Sequence, residues 1–146
     1  AMGVDLDADA VVVAQANYDG DPRISFACED FLAMADAGWN AVVNFDVIEH
    51  ILPDHVGGFW EKIAGSLAHD GIAVVGTPNV TSDQYASPTT RAGHVNLYSG
   101  ERLAAEMGRY FHHVFLFGAN DEVVHTGFSP MAHYLLAVGC RKRTAG

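Results

Sequence analysis

Short apolar runs alternate along this chain with stretches in which apolar residues recur every three or four positions. The first kind predicts buried strands and the second predicts helices with one apolar face. Gly3 to Leu6 reads as a short strand, and Asp7 is placed to cap a helix over the Ala-rich stretch Ala8 to Asn17, which stops at Asp19-Gly20-Asp21-Pro22. Ile24 to Cys28 is the next strand, followed by a single helical turn over Phe31 to Met34, and Trp39 to Phe45 is a third strand around Ala41-Val42-Val43. Beyond Pro53, the residues Val56, Phe59, Trp60, Ile63 and Leu67 form one apolar helical face, which His69-Asp70-Gly71 is expected to end. Gly71 to Thr77 is a buried strand, Pro78 to Asn96 a polar loop, and Ser99 caps a helix from Gly100 to Arg109. Val114 to Phe117 and Tyr134 to Val138 are the last two strands, joined by a long connection from Gly118 to Met131.

Strands that alternate with helices imply parallel pairing through crossovers, whereas the last two strands have no helix between them. The expected fold class is therefore α/β, a Rossmann-like mostly parallel sheet with helices on both faces and an antiparallel last strand. We expect one domain over residues 3–142, with 1–2 as a cloning remnant and 143–146 as a tail.

Composition narrows the function classes. Eighteen acidic residues against eight Lys and Arg give a formal charge of −10, the opposite of the basic stripe that nucleic acid binding requires. Apolar runs such as Ala10 to Ala14 and Leu135 to Val138 are far too short to span a bilayer. Cys28 and Cys140 stand at no metal-binding spacing and read as buried, reduced thiols of a cytoplasmic protein.

Five stretches, in order, carry a resemblance. They are Gly3-Val4-Asp5-Leu6, Cys28-Glu29-Asp30-Phe31, Asn44-Phe45-Asp46-Val47-Ile48-Glu49-His50-Ile51, Gly76-Thr77-Pro78-Asn79 and Gly93-His94-Val95-Asn96-Leu97-Tyr98-Ser99. Together they resemble the class I S-adenosylmethionine-dependent methyltransferases, and within these the small-molecule and ubiquinone-type O-methyltransferases. The resemblance implies that Asp5 binds the ribose hydroxyls of S-adenosylmethionine, that Asp30 receives the adenine amino group, and that Phe31, Asn44 and Phe45 lie beside the cofactor. It implies that Glu49 and His50 face the reaction centre, with a small-molecule acceptor, most simply a hydroxyl. A divalent metal on Asp46, Glu49, His50 and His94 is a further implied alternative to a metal-free site.

The family's opening strand, glycine-rich turn and helix have no counterpart before Gly3. That unit wraps the methionine half of the cofactor, because glycines let backbone N–H groups approach closely, and it supplies the central strand of the sheet. The expected consequences are a missing N-terminal segment, a homo-oligomer that repairs the gap, or a degenerate relative serving as a non-catalytic module for partner binding. A nicotinamide enzyme on a related sheet would need the same kind of turn.

Chemistry gathers beyond the carboxyl ends of strands in such sheets. Asp5, Asp30, Glu49, His50, His94, Asp121 and His125 are expected at that rim. His50 is the candidate general base, since imidazole titrates near neutrality, and the long Asn120 to Phe128 stretch is expected to wall the acceptor pocket. His112, His113 and His133 lie in or beside strands and read as structural.

Overall fold

A computed structural model describes residues 1–18, 20–35 and 38–143. Asp19 of the expected turn, and residues 144–146 of the expected tail, lie outside the described residues. The chain divides into two compact units, Ala1–Ala35 and Asp36–Gly146.

In the first unit, β1 (Met2–Asp5) and β2 (Ser25–Cys28) pair in parallel around the crossover helix α1 (Ala8–Asn17). The Asp7 carboxylate accepts from the backbone N–H groups of Asp9 and Ala10, as its position before the Ala-rich stretch predicts. Asp30 begins a tight turn, with the Ala33 N–H donating to the Asp30 carbonyl at 2.9 Å.

The second unit holds a five-stranded sheet in the order β3-β4-β7-β5-β6. Its strands are β3 (Trp39–Phe45), β4 (Leu67–Pro78), β5 (Phe111–Asn120), β6 (Val123–His125) and β7 (Tyr134–Lys142). β3 and β4 are parallel, and β7 runs antiparallel to both β4 and β5. The mixed α/β sheet with an antiparallel last strand is thus the fold that the hydrophobic pattern predicts.

Helices α2 (Val56–Ser66), α3 (Pro88–Gly93) and α4 (Gly100–Met107) complete this unit. α2 packs against β3 and β4, while α4 packs against β5 and β7. The core between them contains Phe59, Trp60 and Ile63 from α2, Leu103 and Met107 from α4, and Val75 and Leu135 from the sheet. Ser99 caps α4 by accepting from the Arg102 N–H at 3.2 Å.

Four elements differ from expectation. α2 ends at Ser66, and Leu67 begins β4 by pairing with Trp39. Gly71, expected to end the helix, instead lies where β4 passes the Trp39 carbonyl so closely that a Cβ would stand 2.8 Å from its oxygen. The supposed loop after Pro78 contains a 3-10 helix, Val80–Tyr85, and α3. Finally, β5 turns directly into β6, with Asp121 at φ 51° supplying the positive φ of a tight hairpin. Of the two thiols, Cys28 is exposed rather than buried, and both are free.

Candidate active site at the carboxyl end of β3

β3 ends at Phe45, and the chain reverses through Asp46 at φ 54°. The Asp46 N–H donates to the Gly76 carbonyl at 3.1 Å, which ties the turn to β4. Tyr134 of β7 lies beside Asp46, and burial together with this acid pushes the tyrosine hydroxyl pKa upward. A 3-10 helix, Ile48–His50, then drives Ile48 and Glu49 into the core, both at 0% exposure.

Glu49 is the most unusual group in this unit. Its Oε2 accepts from the Thr77 hydroxyl at 2.9 Å, while its Oε1 is buried without a hydrogen-bond partner. An orphaned carboxylate oxygen in a protein interior is costly. The Glu49 carbonyl is bound by the Asn96 N–H at 3.0 Å, and the Asn96 amide donates to the Ile48 carbonyl, so the segment beyond α3 clamps the motif.

His50 is exposed, and its Nδ1 lies 2.9 Å from the Gly93 carbonyl. A carbonyl can only accept, so Nδ1 carries a proton, and in the neutral form of the ring Nε2 is then the acceptor. The His94 ring meets His50 edge to face with centroids 5.0 Å apart. One ligand atom from each of Glu49, His50 and His94 falls within 4.8 Å of the others. Asp46 is not part of this cluster, so three of the four residues in the implied metal set come together.

The remaining expected site residues divide between the units. Asn44 lies on β3 with its Oδ1 buried and unpartnered, and Phe45 is 48% exposed. In the first unit, Asp5 ends β1 opposite Cys28 of β2, and Asp5 Oδ1 accepts from the Asp7 N–H at 2.8 Å. Asp30 follows β2 and accepts from the Leu32 N–H at 2.9 Å; both carboxylates are exposed, and Phe31 next to Asp30 is half-buried. Asp121 and His125 belong to the β5–β6 hairpin, where the His125 Nε2 contacts the Asn120 amide at 3.4 Å.

An open cavity of about 660 Å³ adjoins the cluster, bounded by Pro78, Asp83, Tyr85, Thr90, His94 and His133 among others. No residue of the Asn120 to Phe128 stretch lines it; within that stretch Asn120 and Val123 to His125 are engaged in pairing β5 with β6. His133, read from sequence as structural, forms a wall, meeting the Tyr85 ring edge to face at 6.1 Å. Tyr85 and Tyr134 stand in none of the stretches that carry the resemblance, and Thr77, within Gly76-Thr77-Pro78-Asn79, is given no role by it.

No family model matches the chain, and no curated protein sequence is similar enough to count as a relative. Solved structures do match. The N-methyltransferase NodS of Bradyrhizobium japonicum WM9, in complex with S-adenosylhomocysteine, is 18% identical with a TM-score of 0.67, over 96% of this chain and 65% of its own. A SAM-dependent methyltransferase of Thermotoga maritima, described as a possible histamine N-methyltransferase, is 13% identical with a TM-score of 0.77, over 97% of this chain and 72% of its own. A SAM-dependent methyltransferase of Archaeoglobus fulgidus is 15% identical with a TM-score of 0.72, covering 97% and 75%. The chain thus shares the class I methyltransferase fold and spans 65% of the NodS chain.

Proposed function

We propose that these residues form the greater part of the catalytic domain of an S-adenosylmethionine-dependent methyltransferase acting on a small-molecule acceptor, with a hydroxyl as the methylated group. The observation that carries this reading is the Glu49, His50 and His94 cluster at the carboxyl end of β3, on a methyltransferase-like fold. When bound, S-adenosylmethionine supplies a methyl group on a sulfonium, an electrophile that needs no further activation. What remains for the protein is alignment of the acceptor and removal of its proton. In its neutral form His50 would accept that proton at Nε2, while the Gly93 carbonyl holds its ring by Nδ1. The buried Asn44 Oδ1 without a partner supports a ligand donor there, and the exposed carboxylates of Asp5 and Asp30 support the ribose and adenine roles.

A divalent ion is a second ligand that the cluster fits, because Glu49 Oε1 lacks a partner and ligand atoms of Glu49, His50 and His94 lie within 4.8 Å of one another. One carboxylate and two imidazoles suit manganese or zinc, with magnesium less favoured by the nitrogen donors. Zinc at micromolar concentration should then raise the melting temperature of the wild type but not of His94→Ala. The free thiols Cys28 and Cys140 support a reducing, cytoplasmic setting. No helix among the described residues is long and apolar enough to cross a membrane.

The alternative is a non-catalytic module for assembly. It is favoured by the outer edge of β3, which no described strand pairs and where Val43 is 59% exposed. Such edges attract a further strand, so sedimentation should show a dimer if a second copy supplies it, and a monomer would count against self-association. Calorimetric titration with S-adenosylhomocysteine decides between the two functions. Micromolar binding that weakens in Asp5→Ala and Asp30→Ala supports the enzyme; no binding at millimolar ligand by a folded sample supports the module.

A further inference from the structure

We propose that the cavity beside His94 is the acceptor site and selects a flat aromatic ring carrying an ammonium group over the same ring carrying a carboxylate. Its role as an acceptor site rests on the methyltransferase reading, whereas its ligand preference rests on its walls alone. At about 660 Å³ it has the size of a small-molecule pocket. Tyr85 and His133 present ring surfaces at right angles, and Pro78 and Leu97 add apolar area.

Two polar groups on these walls, Ser82 and Asp83, face a ligand as acceptors, beside the hydroxyls of Tyr85 and Thr90 and the imidazoles of His94 and His133, which can also donate. Ser82 spends its hydroxyl proton on the Asn79 carbonyl at 2.7 Å, leaving lone pairs. Asp83 brings a carboxylate, and no Lys or Arg lines the cavity. Arg91 does not neutralise this arrangement fully: its Nε and Nη2 donate to the Asp83 carbonyl at 3.1 and 2.8 Å, and its closest approach to the carboxylate is 3.7 Å. The formal charge of −10 adds a negative field over the whole surface. A cation gains from the carboxylate and from the face of Tyr85, whereas an anion meets repulsion from Asp83 and finds hydroxyl and imidazole donors but no Lys or Arg in the lining.

The test is saturation-transfer NMR titration of the full chain, at low salt, with tryptamine and indole-3-propionate, which share a ring and differ in charge. Tryptamine should bind about fivefold more tightly or better, the scale of one partly exposed charge pair. Asp83→Asn should bring the two affinities together, and Tyr85→Ala should weaken both ligands, with circular dichroism confirming that each variant is folded. Equal affinities in the wild type, a preference for the carboxylate, or a preference unchanged by Asp83→Asn would overturn the proposal. S-adenosylhomocysteine titration of the same sample separates the two readings. Homocysteine-adduct binding without amine preference sinks the ligand assignment alone; amine preference without that binding sinks the methyltransferase reading and leaves an amine-binding pocket.

Discussion

Replacing Glu49 and Thr77 together by Met and Val should stabilise the protein, while replacing Thr77 alone should destabilise it. Both side chains are completely buried, and the 2.9 Å bond from the Thr77 hydroxyl is the one hydrogen bond that the Glu49 carboxylate makes among the described residues. Thr77→Val removes a hydrogen bond to a charged group and leaves both carboxylate oxygens without partners, at a cost of about 2 kcal/mol. In Glu49→Met/Thr77→Val the charge itself is gone, and apolar groups of similar volume fill the space. Exchanging a buried ionic group for well-packed apolar side chains gains about 1–4 kcal/mol in favourable cases. Here the starting carboxylate is half satisfied, so the exchange falls on the favourable side. Urea unfolding followed by tryptophan fluorescence reads both changes as shifts in the midpoint, with chelator present to remove any bound metal. Opposite signs for the single and double variants would mean that Glu49 is kept at the expense of stability, as functional groups often are. A double variant less stable than wild type would refute the reasoning, because the fold would then depend on the carboxylate.

Three further outcomes follow from the polar network on α4. Tyr98→Phe removes a hydroxyl that donates to Glu106 Oε2 at 2.8 Å in the core, and should lower stability by about 2 kcal/mol in urea unfolding. The Glu106 pKa is raised by burial but lowered further by hydrogen bonds from Tyr98, Arg102 and Trp60, so it lies below the usual carboxylate value. A depressed carboxylate stabilises the fold above its unfolded pKa and loses that contribution as pH falls through the folded one. Tyr98→Phe should therefore move the acid-unfolding midpoint, followed by circular dichroism, to higher pH; an unchanged midpoint would exclude the network as the cause. Ser99→Ala removes the cap of α4 and should cost about 1 kcal/mol, measurable as a drop in melting temperature that Ser99→Asp largely avoids.

Much of the fold is legible in the sequence because buried strands and helix caps leave local marks. Val42-Val43 in β3 and Val74-Val75 in β4 announce strands by their β-branched residues, and Asp7 and Ser99 announce helix starts. The errors fall where the deciding partner is distant. Leu67 fits the apolar face of α2 by spacing, yet its backbone joins β4 because Trp39 is there to pair with it. Val123-Val124-His125 is too short to show an alternation, and becomes a strand because the left-handed turn at Asp121 folds it onto β5.

The same distinction governs the site. Glu49 and His50 are adjacent in sequence and His94 lies in a recognisable stretch, so the cluster could be anticipated. Its supports could not, because they depend on the register between β4 and β7. Thr77 pairs with Leu135 and Pro78 with Tyr134, so Leu135 and Ala137 turn inward while Tyr134 remains beside Asp46. Side chains alternate along a strand, and a slip of one residue would exchange the two faces. Tyr134 would then face the core in place of Leu135, and would no longer stand beside Asp46 in the turn leading to Glu49. The run Tyr134-Leu135-Leu136-Ala137-Val138 shows no alternation of apolar and polar residues from which that parity could be read. What fixes it is packing: Gly139 admits the Phe111 ring so closely that a Cβ would stand 2.7 Å from it. The register that places Tyr134 beside Asp46 is thus set by a glycine at the opposite end of the strand.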